Sequence, residues 1–411
     1  MKKFWILFFS AFLFTIPSSL SASEKNEFNL PEIVELALAN NPLLSAKKSQ
    51  VDAIKASYEA AKHLINPQLE FHVGKATAYD EDKTRNTGGV SLSQYVENPF
   101  KRHYRVQVYE KEWEAVRFDH DVLTLEVTFA VKNLYFDILR QKAKQELARK
   151  NLESIQKIHQ LIKSRAKLGE IRELEAIKLY VESLQAEREL NQVQTTLLLA
   201  KEKLNQYLGN RLPANFSVTG VLEYAETQIQ QKEALQKALN IHPRLKEKET
   251  RVAQANSQWS YVKWQRFPDF RLSGFSRKEL DGRNTGIGLS LDIPLWSFKS
   301  KEIREAENLT RMEEEELRAL RMETAADVKA MINQLNLSEQ SLQIFHQGLL
   351  EQAEQSLKIA EISYTQGEIS LIDYLDSQRT YFSILNDYQD SLYRWNTDKA
   401  ALEKAIGEKI K

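Results

Sequence analysis

The chain has 411 residues, with 57 Lys+Arg balanced by 57 Asp+Glu, and it contains no Cys. Zero formal charge gives no electrostatic pull toward nucleic acid; the missing Cys excludes disulfides, thiolate metal sites, cysteine catalysis and a lipidated N-terminal Cys. With 13 Gly and 9 Pro, about 3% and 2% against usual values of about 7% and 5%, the sequence reads as long uninterrupted helices rather than an all-β or Rossmann-rich protein.

Residues 1–22 have the three parts of a secretory signal peptide. Lys2 and Lys3 form the basic start, Phe4 to Ile16 is almost wholly apolar, and Pro17 precedes the small residues Ser18, Ser19, Ser21 and Ala22. No later stretch offers about 18 consecutive apolar residues, so a transmembrane helix is not expected. An exported chain of this kind is either soluble or enters a membrane as a β-barrel.

The rest of the chain repeats itself. Ala37-Leu38-Ala39-Asn40-Asn41-Pro42 parallels Ala238-Leu239-Asn240-Ile241-His242-Pro243, and Pro67 parallels Pro268. Gly89-Val90-Ser91-Leu92-Ser93 matches Gly288-Leu289-Ser290-Leu291-Asp292, and Leu168-Gly169-Glu170-Ile171 matches Gln366-Gly367-Glu368-Ile369. The spacing stays near 200 residues, far longer than a solenoid repeat. We read two copies of one domain-sized unit, 29–209 and 229–407, joined by a linker at 210–228.

Each unit runs through the same elements. A short helix leads to Asn-Pro or His-Pro, then a helix over 43–66 or 244–266 that stops before a proline. Two strands follow, at 68–79 and 87–96 in the first unit and at 268–278 and 285–293 in the second. Their apolar residues alternate: Leu69, Phe71, Val73; Val90, Leu92; Phe270, Leu272; Ile287, Leu289, Leu291, Ile293. Very long helices come next, over 101–168 and 298–366, each on the order of 100 Å at 1.5 Å per residue. Gly169 and Gly367 break them, and helices return over 171–208 and 369–406. Apolar steps of three and four, as in Ile155, Ile158, Ile162, give a coiled-coil seam. The expected fold is therefore mainly α with a small β part: two long antiparallel helical hairpins plus four amphipathic strands. Strands of about 9–11 residues suit a tilted membrane crossing, yet four cannot close a barrel, since about eight is the smallest. Three copies would supply 12 strands and a closed symmetry.

This layout resembles the TolC-type outer-membrane efflux proteins. The resemblance covers 29–407 and rests on the duplication, the Ala-Leu-x-x-Asn/His-Pro entry, the Gly-Val-Ser-Leu-Ser-Gln strand and the tip Tyr364-Thr-Gln-Gly-Glu-Ile-Ser-Leu-Ile-Asp-Tyr-Leu-Asp376. It implies a homotrimer in the cell outer membrane with a 12-stranded β-barrel and a periplasmic helical barrel. It also implies partners: a periplasmic adaptor (membrane fusion protein) and an inner-membrane pump of RND or ABC type. The chain then acts as the exit duct of a tripartite pump, with heavy-metal cations or drugs as cargo. The alternatives are the duct of a type I protein secretion system and, from a different class, a soluble periplasmic coiled-coil scaffold or adaptor. No enzyme, cofactor, metal site or nucleic acid partner is expected.

Several residues stand out as candidates for the work. Asp373 and Asp376, i and i+3 after the Gly367 break, match by resemblance the aspartates of a periplasmic gate. In a trimer they would make two rings of carboxylates that favour cations; capping or solvating a helix is the competing reading. Glu175 and Lys178 hold the corresponding places in the first unit. Ile369 stands where the resemblance implies a basic, gate-locking residue. Leu168, Gly169, Glu170 and Ile171, with Tyr364, Gly367, Glu368 and Ile369, form the two helix-hairpin tips and, by resemblance, the adaptor contact. The seven histidines are scattered, with no i, i+4 pair. The run Glu313 to Glu316 is either a solvated or a pore-lining face. Trp264, Phe267, Phe270, Tyr95 and Phe100 flank the strands, either as interfacial belts or as local packing.

Overall fold

The computed structural model describes residues 26–77, 84–226, 229–293, 296 and 298–409. The leader expected at 1–22 lies outside them, as do the end of the first expected strand and most of the turn after it.

Chain order begins with a short strand β1 (Glu27–Phe28), then α1 (Leu30–Asn40) and α2 (Pro42–Ala61). The sequence sets these boundaries locally. Asn29 and Glu32 form a reciprocal capping box at the start of α1. Asn41 caps α2 by accepting from the Leu43 and Leu44 amides, ahead of Pro42 at the first helical position. Strands β2 (Gln68–Thr77) and β3 (Thr84–Val96) follow, then the 69-residue α3 (Pro99–Lys167) and α4 (Glu173–Tyr207). After β4 (Ser217–Val218), the second unit supplies α5 (Gln231–Ile241), α6 (Pro243–Trp264), β5 (Phe270–Lys278) and β6 (Arg283–Leu291). Its long run is divided: α7 (Ser300–Ile344), a wide five-residue turn Phe345–Leu349, and α8 (Leu350–Gln366), before α9 (Leu371–Ile406). The single helix expected over 298–366 is thus interrupted at its one glycine. Gly348 has φ +115°, outside the helical region, which inserts an extra residue into the turn.

The four longer strands form one antiparallel sheet in the order β2-β3-β5-β6, so the two units join through β3 and β5. The short β1 and β4 pair separately and in parallel. Below the sheet the helices keep a four-fold cross-section. α3 packs against α2 and α6 near the sheet and against α4 and α9 farther away. α7 likewise meets α6 first and α9 later, and α8 pairs with α9.

The buried apolar residues fall into two separate clusters. The larger lies midway and draws Ile33, Val131, Ile138, Leu204, Ala238, Leu335, Leu342 and Leu402 from α1, α3, α4, α5, α7 and α9. The smaller closes the far end, where Ile158, Ile162, Ala176 and Leu179 of the first hairpin meet Ala360, Tyr364, Leu371, Tyr374 and Leu375 of the second.

Candidate functional site

The sheet end is built by register. Side chains alternate across the pleat, so same-face residues follow from the strand pairings. One row across the sheet reads Phe71, Val90, Ser276, Thr285; the next reads Leu69, Leu92, Gly274, Ile287; below it come Gln94, Leu272, Leu289, and then Val96, Phe270, Leu291. Every strand apolar residue singled out in the sequence, Val73 included and Ile293 beyond β6, shares this face. The opposite face carries Gln68, Glu70, His72, Ser91, Ser93, Arg271, Ser273, Arg277, Asn284 and Ser290. Its one large apolar side chain, Phe275, lies over Gly286, where an added Cβ would meet the ring at 2.9 Å, and under the Arg277 guanidinium.

The apolar face is uncovered: Phe71 is 71% exposed, Val73 92% and Ile287 87%. Such a continuous patch is not stable in water and marks an interaction surface. Its shape also has a slope. The apolar residues of β2 centre on Phe71, while those of β6 centre on Leu289, two same-face rows lower. Two rows amount to about 14 Å along the strands, and three inter-strand spacings to about 14 Å across them. A level apolar band therefore requires strands tilted by about 45°, the inclination of strands in membrane barrels. The outer edges of β2 and β6 have no strand partner among the described residues.

A charged cluster anchors this sheet to the helices. Asp269, directly before β5, accepts hydrogen bonds from the Tyr95 hydroxyl and the Lys101 ammonium, and from the Asn98 amide at 2.8 Å. Burial opposes its charge, but these donors outweigh burial and hold its carboxyl below the usual carboxylate range. Arg105 adds a two-pronged bond to Glu97, both contacts at 2.9 Å. Tyr95, Glu97, Lys101, Arg105 and Asp269 line an open cavity of about 880 Å³ at the base of the sheet. The five aromatic residues that flank the strands fall into three settings. Phe100 stacks on Trp264 at 4.4 Å between ring centroids and Phe267 leans on the same Trp264 at 5.1 Å, while Tyr95 belongs to the Asp269 cluster and Phe270 stands on the apolar face.

At the opposite end the two hairpin tips come together. Gly169 and Gly367 both have positive φ, +78° and +81°, with open space where a Cβ would stand. They are turn residues that a side chain would strain. Leu168 projects, 75% exposed, and Glu170 and Glu368 are also exposed. Ile171, Ile369 and Tyr364 instead pack in or against the tip cluster. Tyr364 donates to Glu175 at 3.2 Å, and burial together with that carboxylate pushes its phenol well above the usual range. Residue 369 is Ile, and near the tip the two hairpins share an ion pair of Arg379 with Glu182, two contacts of 3.0 and 2.6 Å. Sequence reading missed this pair, whose partners are 197 residues apart. Asp373 serves as the third residue of the capping box of α9: its Oδ2 accepts from the Ser370 amide and hydroxyl at 3.1 and 2.7 Å. Asp376 is exposed on the next turn. Glu313 and Glu316 of the acidic run both accept from Lys248 of α6, and Glu315 pairs with Arg318.

No described helix is long and apolar enough to cross a membrane. A sheet greasy on one face, polar on the other and open at both edges, set on a helical stalk, defines the protomer of a membrane channel. Residues 33–210 and 234–408 both match the model of the outer membrane efflux protein family, and the chain belongs to that family. Its place is accordingly the cell outer membrane, with the helices in the periplasm. The chain is 24% identical over 380 residues to the cobalt-zinc-cadmium resistance protein CzcC of Cupriavidus metallidurans, covering 92% of this chain and 90% of that protein. It is 22% identical to the outer membrane protein TolC of Vibrio cholerae, covering 99% and 96% of the two. Among solved structures it superposes on CusC with a TM-score of 0.79 at 16% identity, covering 94% of this chain and 93% of that one. The open-state MtrE channel of Neisseria gonorrhoeae gives 0.78 at 15% identity, covering 93% and 89%.

Proposed function

We propose that this chain is the exit duct of a tripartite efflux system. Three copies join β6 to β2 into a 12-stranded barrel, and their helices form one tube through the periplasm. An inner-membrane pump supplies the energy, and an adaptor engages the exposed tip residues Leu168, Glu170 and Glu368. The observation that carries this reading is the sheet: a single greasy, 45°-tilted face with two unpaired edges is satisfied in lipid only when sister copies complete the ring. A soluble scaffold would leave that face in water.

The cargo we favour is divalent metal cations, on two grounds. One is the likeness to a cobalt-zinc-cadmium resistance protein across 92% of the chain. The other is the paired aspartates at the tip, which three-fold symmetry turns into stacked carboxylate rings. Asp373 can both cap α9 and face the opening, because its cap uses one oxygen.

Two experiments test the scheme. The chain has no Cys, so one cysteine introduced on β2 and one on β6 should cross-link copies into trimers and no larger species. A product that stays a single chain under oxidising conditions refutes the ring. In planar bilayers, Asp376→Asn should lower cation-over-anion selectivity without disturbing the α9 cap, and Asp373→Ala with Asp376→Ala should lower it further. Selectivity and multivalent-cation block identical to wild type would remove the gate assignment.

A further inference from the structure

The lipid-facing side of the sheet ends, at its loop side, in charge. Lys75 follows Val73 by one same-face step, while Lys278 and Arg283 are direct register partners on the same face. All three are exposed, and none makes a hydrogen bond or ion pair among the described residues. The described acidic group nearest in sequence points elsewhere: Glu279 accepts at 2.7 Å from Asn284, which stands on the polar face.

Their height follows from the tilt. Each same-face step is about 6.8 Å along the strand, and a 45° inclination projects it to about 5 Å along the membrane normal. Measured from the sloping midline of the apolar band, Lys75 then stands about 10 Å above it, and Lys278 and Arg283 about 11 to 15 Å. An outer-membrane apolar band is about 25 Å tall, so its boundary is about 12 Å from the midline. The three cations thus reach the headgroup level, with their stems in the apolar layer and their charges above it.

We propose that Lys75, Lys278 and Arg283 form an outward cationic collar that binds the phosphate groups of phosphorylated glycolipid in the outer leaflet. The sheet end that carries them is the one farthest from the periplasmic helices, which fixes the leaflet. Cations beside a membrane gain affinity from anionic headgroups, and a guanidinium adds two-pronged recognition of phosphate oxygens. In the trimer the collar repeats three times, with no contribution from the channel interior. The inference rests on the apolar face lying in lipid.

The test uses the full-length assembled protein with vesicles of phosphatidylcholine containing bisphosphorylated lipid A. Controls are vesicles of phosphatidylcholine with dephosphorylated lipid A, and with phosphatidylglycerol. Wild type should retain the bisphosphorylated lipid through detergent exchange. The Lys75→Gln, Lys278→Gln, Arg283→Gln variant should lose affinity roughly fivefold per charge, on the order of a hundredfold in all. Arg271→Gln with Arg277→Gln, on the polar face, should leave retention unchanged. Equal retention by the collar variant and wild type, or equal retention of dephosphorylated lipid A, overturns the proposal; equal binding to phosphatidylglycerol overturns the glycolipid assignment. If the collar variant fails to assemble, wild-type retention at high salt decides: loss supports the collar and persistence refutes it. A spin label on Phe71→Cys separates the two levels of failure. Relaxation by lipid-dissolved oxygen with unchanged lipid retention refutes the collar alone, and no such relaxation refutes the lipid-facing sheet itself.

Discussion

Leu179→Ala tests whether the hairpin tip is held by its own small core. Leu179 is fully buried, in a cluster of nine residues that belongs to both hairpins and is separate from the midway core. Removing its isopropyl end deletes three carbons at about 0.8 kcal/mol each, and incomplete collapse of the site raises the loss to about 2.5–4 kcal/mol. The polar links between the hairpins are weaker. The Tyr364–Glu175, Arg165–Thr365 and Gln378–Asn151 hydrogen bonds contribute about 0.5–1.5 kcal/mol each, and the Arg379–Glu182 pair, with its arginine mostly exposed, less than about 1 kcal/mol; each is below the apolar loss. The apolar term therefore dominates docking of the tips. Their undocked population should rise by about two to three decades. Hydrogen exchange read on the first turns of α4 and α9 should show that gain, and trypsin should cut faster at Lys167 and Arg172. Amides of α1 and α5, which belong to the other cluster, should keep their protection. Protection at α4 and α9 within about threefold of wild type would refute the argument, and so would a loss spread equally to α1 and α5.

Further expectations concern the helix ends. His242 caps α6 by accepting the Arg244 amide at 3.2 Å. Burial, aided by the charges of Arg244 and Lys404, holds its imidazole below the ordinary value of 6.5. The unfolded chain then binds a proton that the folded one resists, so stability is intact above pH 6.5 and falls as pH drops below it. His242→Asn, the residue used at the equivalent Asn41, should remove that slope in thermal melts taken between pH 7.5 and about 5. Gly348→Ala places its Cβ in open space and should cost only the strain of positive φ, about 1–2 kcal/mol. Gly209→Ala adds a clash at 2.7 Å with the Asn40 carbonyl and should cost more. Equal denaturation midpoints for the two would contradict this ranking.

Much of the architecture was legible because its signals are local. Prolines 42, 99 and 243 open helices, Gly367 and Gly407 close them with positive φ, and period-two alternation marks the strands. The departures have specific causes. β5 begins at Phe270 rather than 268, because Pro268 has no amide to donate and Asp269 turns its side chain to Tyr95 and Lys101. α4 begins at Glu173 rather than 171, because Ile171 is drawn against the tip cluster. Gly348 was visible in the sequence as a lone glycine, but its backbone rotation was not. Asp373 and Asp376 were legible as an i, i+3 pair. That Ser370 engages Asp373 and not Asp376 is a matter of three-dimensional geometry.

Helix against strand, the stops, the duplication and the alternation of greasy and polar residues follow from order along the chain alone. Tertiary structure decided how distant parts align. Pairing Leu92 with Gly274 and Val96 with Phe270 sets the register that gathers the strands' greasy residues, Phe275 apart, on one sloping face. The same folding carries Glu182 to Arg379 and Asp269 to Lys101. Torsion preferences and side-chain periodicity act over a few residues, whereas a contact between the two units depends on where the whole intervening chain has packed. No local pattern encodes that pairing.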